Sequence, residues 1–475
     1  TTEQATAEEQ IEVIAVTGYR GSLQKAQAIK MSENSIVEVL SAEDIGKLPD
    51  TSVAESLARL PGLAGERRNG RTSGLSVRGF NENYVGTSLN GRELLGMGDN
   101  RGVEYDLYPS EIVSTAIVYK TPEASLMAQG IGGTVDLQTI KPLAAERTIA
   151  FNGSYEKNDQ DSGNPDFDNT GHRLSFNYVD KFLDDRLGVA LVVASLETPR
   201  QEQQFRGWGY AGANPDRAAD GVTVPEGTVI LGGHDSFTRS AMLERDSIAL
   251  VLEYIVNDRV KATFDALYID FNEQDARRGL EEGGAEWGTG AYTITGVDNG
   301  LVTSGYYDGF YSVVRNDVRE QDADLKTFGL NLEYQINDNW NVYGAANVTK
   351  VETFGRYAPG PGVLIVDDGT PSDINSGVAC GAGGCAPGTT DGNPTYYFHR
   401  FAAAGNRDNF TDATNADYLI GFQGQLTDTV GIDFGLRRTD YKYVELGRGY
   451  IVASLANEAA NNGSYDLSDP YAADP

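Results

Sequence analysis

The chain of 475 residues sets 38 Lys and Arg against 69 Asp and Glu, a formal net charge of −31. No basic surface forms easily against that background, which argues against a nucleic-acid partner. Gly (56), Tyr (25) and Phe (17) are plentiful while Cys (2), Met (4) and His (3) are scarce, the usage of long antiparallel sheets with many turns rather than of a helix-rich enzyme.

The chain begins TTEQATAEEQ, polar and acidic, with no initiating Met and no charged-then-apolar leader. Thr1 therefore reads as a mature terminus from which an export signal has been removed. No apolar run approaches the roughly 18 residues of a membrane helix, which leaves strand-built membrane proteins open. Ile11, Val13, Ile14 and Val16 then interrupt the polar tail. They read either as a first core strand or as bait for another protein's sheet edge.

SIVEVLS reads as a strand, and Ser41 and Asp44 have capping-box spacing with Asp in place of Glu or Gln. TSVAESLARLPG places Val53, Leu57 and Leu60 on one helical face and stops at Pro61-Gly62. GLSVRGFNENYVGTSLNGREL gives strand, turn and strand, with Asn90-Gly91 a tight-turn signal. PSEIVSTAIVYK reads as a short helix running into a strand, a second short helix follows, and GIGGTVDLQTIKP closes the unit with another strand. This is a small α+β domain.

From about residue 147 the pattern becomes long and alternating. Leu174, Phe176 and Tyr178 oppose Arg173, Ser175 and Asn177; Ile248, Leu250, Leu252 and Tyr254 make a second such set. Leu330, Leu332, Tyr334 and Ile336 make a third, Tyr418, Ile420, Phe422 and Leu426 a fourth, and Ile432, Phe434 and Leu436 a fifth. Period-two alternation is the mark of a half-buried sheet. Tight polar turns at 256–259, 336–338 and 427–429 alternate with long stretches near 200–238, 273–322 and 354–414. Loops short on one side and long on the other mark an outer-membrane barrel, apolar outward and polar inward. About nine strands are expected. That odd count, and the loop-like ending NNGSYDLSDPYAADP, suggest the N-terminal part of a longer protein that stops in an extracellular loop.

Six stretches, EVIAVTG, SAEDIGKLPDTSVAESLARLPG, LSVRGF, TSLNGRE, YPSEIVSTAIVYKTPEASL and GIGGTVDLQT, resemble in order and spacing the plug domain of TonB-dependent outer-membrane receptors. The similarity is to the subclass tied to carbohydrate uptake. The fold class expected is a membrane β-barrel, antiparallel and incomplete in this chain, with an N-terminal α+β plug. The divisions are 1–20 for a periplasmic tail, 21–145 for the plug and 146–475 for the N-terminal portion of the barrel. The resemblance implies a plug inside a barrel of 22 strands in the bacterial outer membrane. It also implies active uptake driven by an inner-membrane complex that pulls on the tail through TonB. The roughly 330 residues after the plug are too few for such a barrel with loops this long.

In this family the segment Glu12, Val13, Ile14, Ala15, Val16 and Thr17 resembles the box that recruits TonB. Strand addition is the physical mode, because backbone groups pair with a partner's sheet edge and tolerate side-chain variation. The same segment could serve as the plug's first strand. Arg78 and Arg92 lie in the stretches where plugs resemble one another most. They are expected either to pair with barrel carboxylates or to stand exposed on plug loops.

Trp208, Tyr210, Trp287, Tyr306, Tyr307, Tyr311, Tyr396 and Tyr397 cluster in the long loops. They are candidates to stack on sugar rings, against the alternative of interface girdles and loop packing. The expected partners are thus TonB, outer-membrane lipid and lipopolysaccharide, and a small-molecule or oligosaccharide ligand; a siderophore, or surface binding without transport, is the alternative. Cys380 and Cys385, in CGAGGC, suit a local disulfide, with free thiols as the other reading. Gly130, Gly132 and Gly133 lack the rest of a phosphate loop and read as a tight turn. DQDSGNPDFDN (159–169) resembles a calcium loop only in composition and reads as a solvated acidic loop. His172, His234 and His399 show no zinc spacing, and neither a GxSxG elbow nor a P-loop occurs. No enzyme, cofactor or metal is expected.

Overall fold

The computed structural model describes residues 19–33, 35–41, 52–68, 71–98, 100–124, 126, 130–282, 291–308, 311–359, 363–366, 396–398, 406–427 and 430–450. Helix α1 (Tyr19–Ser32) packs Ala26 and Ile29 on Val37, Val39 and Ile117. It leads into β1 (Val37–Ser41), α2 (Val53–Leu57), β2 (Leu63–Arg68), β3 (Arg71–Val77), β4 (Val85–Leu89), β5 (Arg92–Glu93), β6 (Val113–Tyr119) and β7 (Gly133–Thr139). Five of these strands form one sheet in the order β1-β6-β7-β4-β5, while β2 and β3 pair as a separate hairpin.

The local signals in this unit have physical outcomes. The helix expected over TSVAESLARLPG stops early, at Leu57, and its N-cap is Ser52, whose hydroxyl accepts from the Ala54 N–H at 3.1 Å. Ser41 ends β1, and Asp44, the other half of the expected capping box, lies outside the described residues. Asn90 and Gly91 both take positive φ, +53° and +75°, the geometry of a tight hairpin turn that Asn-Gly tolerates. Gly130 turns against the backbone of Gly86 and Gly133, where a Cβ would collide.

The second unit comprises β8 (Thr148–Lys157), β9 (Thr170–Phe182), β10 (Leu187–Gly207), β11 (Tyr210–Gly212), β12 (Val229–Leu231), β13 (His234–Asn257), β14 (Val260–Glu282), β15 (Ala291–Asp298), β16 (Leu301–Asp308), β17 (Tyr311–Asn337), β18 (Trp340–Pro359), β19 (Val363–Val366), β20 (Tyr396–Phe398), β21 (Asn406–Thr427) and β22 (Val430–Tyr450). Its main path is antiparallel and runs β22-β21-β18-β17-β14-β13-β10-β9-β8, with β19 and β20 attached at β17. The fold is thus a membrane β-barrel, incomplete in this chain, with an α+β plug: β8 and β22 are the two edges of the sheet among the described residues.

Two features depart from the sequence expectation. Much of what reads as loop is strand: β13 has 24 residues, β14 has 23 and β17 has 27. About 9–11 residues cross a bilayer, so each strand continues well past it. The ladder continues there, as in Gln201↔Ser240 and Arg206↔Asp235, but both faces are polar and the alternation disappears.

The inner face, secondly, is not simply polar. Leu267, Ile269 and Phe271 of β14 and Leu325 of β17 join the same buried cluster as the plug's Leu57, Leu75 and Tyr105. The wall is apolar where the plug seats on it, because this patch buries apolar area on both partners. Outward, Phe176, Ile248, Phe328, Leu330, Ile420 and Leu436 are exposed as the alternation implies. No helix among the described residues is long and apolar enough to cross a membrane.

Candidate functional site

The junction between plug and wall carries the chemistry. Behind the Asn90-Gly91 turn, β5 delivers Arg92 into the interface, where the residue is only 4% exposed. Its Nε donates to the Leu89 carbonyl at 3.2 Å, and its guanidinium pairs with Asp265 of β14. Gly329 on β17 makes the space: a Cβ there would overlap the Arg92 guanidinium. The turn is braced from within the plug, since Asp136 accepts from Ser88 Oγ at 2.6 Å and from the Gly91 N–H at 2.8 Å. Burial pushes the Asp136 carboxyl above the usual range, against those bonds.

A second centre begins at Arg71, the first residue of β3. Its Nη2 lies 2.6 Å from Asp106 Oδ2 and 3.3 Å from Glu273 Oε2 of β14. Glu273 also takes Arg200 of β10 at 3.1 Å, and Arg200 lies 3.5 Å from Asp275, which Arg239 of β13 holds. Arg245 of β13 donates to the Asp106 carbonyl at 2.5 Å. One connected network therefore ties the plug to three neighbouring wall strands. Burial pushes the Asp106 carboxyl up, opposed by Arg71.

A third contact joins Arg173 of β9 to Glu111 at 2.6 Å and to Ser110 Oγ at 2.5 Å. Burial raises the Glu111 carboxyl, but the Arg173 guanidinium more than offsets this and leaves it below its ordinary range. Beyond the plug sheet, the Leu143 N–H donates to Glu253 of β13 at 2.9 Å. Buried pairs of this kind add little net stability. Removing one partner, however, costs about 3–5 kcal/mol because the other charge is stranded.

Arg78 behaves differently from Arg92. It is exposed, with φ +56°, and donates to the Lys120 carbonyl of the plug at 2.6 Å; among the described residues it makes no pair with a barrel carboxylate. Arg78 and Gly79 both take positive φ, +56° and +82°.

The loop aromatics are only partly gathered. Trp208 is half-buried and donates from Nε1 to Asp235 at 3.3 Å. Tyr210 and Tyr306 are exposed on a small sheet of order β11-β12-β16-β15. Tyr307 pairs through its backbone with Tyr292 on that sheet. The backbones of Tyr311, Tyr396 and Tyr397 lie in β17 and β20, but their side chains are outside the described set. Trp287, Cys380, Cys385, His399 and the segment Glu12–Thr17 lie outside the described residues altogether.

The acidic loop is solvent-exposed over most of its length, as expected, and is anchored at two points. Asp166 is held by Arg278 at 2.7 Å, and the Asn164 amide donates to Ser240 Oγ at 2.9 Å and the Ala276 carbonyl at 3.2 Å. His172 lies 3.1 Å from Glu197, and His234 stacks on Phe205. No cluster of three or more His, Cys, Asp or Glu suited to a metal occurs among the described residues.

Sequence reasoning missed Arg71, Asp106, Asp265 and Glu273. A signal was present for two of them, since Asp265 and Glu273 fall on the inward register of β14 together with Leu267, Ile269 and Phe271.

A small α+β domain seated by ion pairs on the inner face of an open antiparallel barrel sheet is a plug-and-barrel arrangement. Residues 30–135 match the family model described as the TonB-dependent Receptor Plug Domain, so the N-terminal domain is a plug of that kind. No curated protein matches. Among solved structures the chain is similar to a mutant ferric enterobactin receptor of Pseudomonas aeruginosa, at 14% identity and TM-score 0.36, covering 87% of this chain and 62% of that one. It is similar to the ferric preacinetobactin receptor of Acinetobacter baumannii, at 14% identity and TM-score 0.39, covering 88% and 60%. For the ferric citrate transporter FecA the values are 11%, 0.32, 88% and 75%. The chain thus spans less than two thirds of the first two.

Proposed function

We propose that the protein is a TonB-dependent outer-membrane receptor for active uptake of a scarce nutrient, an oligosaccharide by preference. The observation that carries this reading is the junction itself: a TonB-dependent receptor plug pinned to the wall by Arg92–Asp265 and Arg71–Glu273. Such pairs hold a plug at rest, yet add little net stability to be overcome once the plug begins to move. In this reading residues 1–20 form the periplasmic lead, 21–145 the plug and 146–475 barrel. Glu12–Thr17 offers its backbone to TonB by strand addition. The exposed Tyr210 and Tyr306 beyond the membrane band support a sugar ligand, because aromatic faces stack on the apolar faces of sugar rings. The outward apolar belt supports contact with lipid and lipopolysaccharide.

The test is uptake of labelled oligosaccharides, and separately of a labelled ferric chelate, by cells making the protein with and without Ile11–Thr17. Oligosaccharide uptake that collapses on the deletion supports the reading. Uptake indifferent to it removes energised transport and leaves a surface binding protein. Deletion-sensitive uptake of the chelate alone replaces the ligand class.

A further inference from the structure

The barrel wall is not of one height. The outward apolar band reaches Leu174 on β9, Val193 on β10 and Ile248 on β13, all exposed. Past that level β10 pairs with β9 only as far as Glu197↔His172, yet stays paired with β13 up to Gly207↔His234. The wall therefore drops by about ten residues, or about 30 Å of strand, between β10 and β9. Next to β9, β8 ends equally low, at Lys157 opposite Thr170. The low stretch is thus two strands, or about 10 Å, wide. The plug comes up to this rim. Glu273, the wall partner of Arg71, is joined through Leu243 to Thr198, the residue just past the last β9–β10 pair. Behind the rim, Glu156, Asn158 and Thr198 border one space with Ser52, Glu55 and Arg71 of the plug.

The loop joining β8 to β9, residues 158–169, does not cover the low stretch. Gly163 lies so close to Thr238 that a Cβ would collide. Asn164, only 1% exposed, donates to Ser240 Oγ and the Ala276 carbonyl and accepts from Arg278 Nη1 at 3.3 Å. Arg278 also holds Asp166. Thr238 and Ser240 fall on the same alternate positions of β13 as the exposed Ile248, and Ala276 and Arg278 on the same positions of β14 as the exposed Tyr268. The loop is therefore folded back on the outside of the wall. Fixing a loop costs about 1–2 kcal/mol of backbone entropy per residue, and a buried amide with three partners is the kind of anchor that offsets it. We propose that the low stretch at β8 and β9 is a side entrance through which solute reaches the plug, and that Asn164 and Arg278 hold the loop clear of it. Solute crossing there meets the plug at once, without passing the length of wall that β10 and β13 add. This route presupposes the uptake reading and adds to it the side from which solute arrives.

The test is the rate at which a small membrane-impermeant maleimide labels Glu55→Cys in intact cells, in a chain that also carries Cys380→Ser and Cys385→Ser. Leu446→Cys, exposed on β22, is labelled in parallel as the reference and shows that each variant has reached the surface. Asn164→Ala combined with Arg278→Ala frees the loop over its own hairpin, which is the opening. That variant is expected to slow labelling at position 55 by about threefold or more and to leave position 446 unchanged. Removing residues 160–167 takes the loop away and is expected to keep the rate at position 55 within about twofold of the native one. It stands in for the double variant should that fail to reach the surface. No labelling at position 55 with the native loop, or a rate indifferent to freeing the loop, overturns the entrance. A several-fold rise on removing the loop means that the loop closes the opening in the native protein, and overturns it equally. Labelling needs neither TonB nor a nutrient, so its failure leaves the deletion test of energised uptake standing, and the reverse also holds.

Discussion

The plug has two charged surfaces, and they are built differently. On the side facing the wall, Arg71, Arg92 and Glu111 find partners 202, 173 and 62 residues away in sequence, and every one of those partners lies on a barrel strand. In a second group, Lys30 reaches Glu38 only 8 residues away, Lys120 reaches the same Glu38, and Arg78 rests on the Lys120 carbonyl, all within the plug. Pairs of the first kind couple two units. Those of the second kind only hold one unit together. Solvent separates the extremes only: the Arg92–Asp265 side chains are 5% and 6% exposed and Lys30 is 49%, while Lys120–Glu38, at 14% and 13%, is as sheltered as Arg71–Glu273, at 20% and 13%. Screening and side-chain entropy leave an exposed pair worth about 0–1 kcal/mol, while a buried one resists the loss of either member.

The comparison is put under most strain at Asp265. Asp265→Leu strands the Arg92 charge in the junction and is expected to cost about 3–5 kcal/mol of plug stability. The measure is denaturant unfolding of the full chain in detergent. Adding Arg92→Leu removes the stranded charge and is expected to recover most of the loss, since a buried pair replaced by apolar groups is often close to neutral. If the double variant is as unstable as Asp265→Leu, the pair is not the unit of coupling at this place.

How far the sequence reveals these two surfaces depends on the range of the contacts. Turns and strand faces are local, so the Asn90-Gly91 hairpin, β1, β7 and the outward set at Leu174 and Phe176 can be read directly. The helix that stops at Leu57 shows the limit, because the periodic stretch runs on to Leu60 without the helix following it. The β9–β10 turn at Leu183, Asp184 and Asp185 takes three positive φ values without a glycine, so nothing in its composition announces it. Arg92 stands out by its place in LNGRE, but naming Asp265 requires the register of β14 against β17. Arg78 stands out equally but bonds within the plug, to the Lys120 carbonyl, a partner 42 residues on that its short motif does not encode. The apolar inner patch at Leu267, Ile269 and Phe271 breaks the simple alternation only because another domain covers it.

A smaller effect tests the wall side by pH. The Glu111 carboxyl is lowered in the folded protein, first penalised by burial and then more than compensated by Arg173. Its contribution is therefore complete above the ordinary carboxylate pKa and is lost as pH falls through and below that range. Asp106 and Asp136 are shifted the other way by burial, so they favour the folded state as they take up protons. The informative quantity is the difference between the native chain and Glu111→Gln across acid pH. The native chain is expected to be the more stable near neutrality, and the gap to narrow steadily on acidification. A gap that is flat with pH would show that Arg173 recognises the shape of this side chain and not its charge.

The smallest effect expected is at Arg78. Its hydrogen bond to the Lys120 carbonyl is short, at 2.6 Å, but solvent reaches it and no barrel group among the described residues pairs with it. An exposed bond of this kind is worth about 0.5–1.5 kcal/mol at most. The positive φ of +56° works against any side chain there, so part of that gain is spent holding the turn. Arg78→Ala is therefore expected to shift unfolding by less than about 1 kcal/mol, and Arg78→Gly to recover part even of that by relieving the left-handed strain. The same denaturant titration decides it, with Asp265→Leu as the reference. A loss at Arg78 comparable to that at Asp265 would mean the outward surface of the plug is coupled to the barrel after all, and the division between the two surfaces would fail.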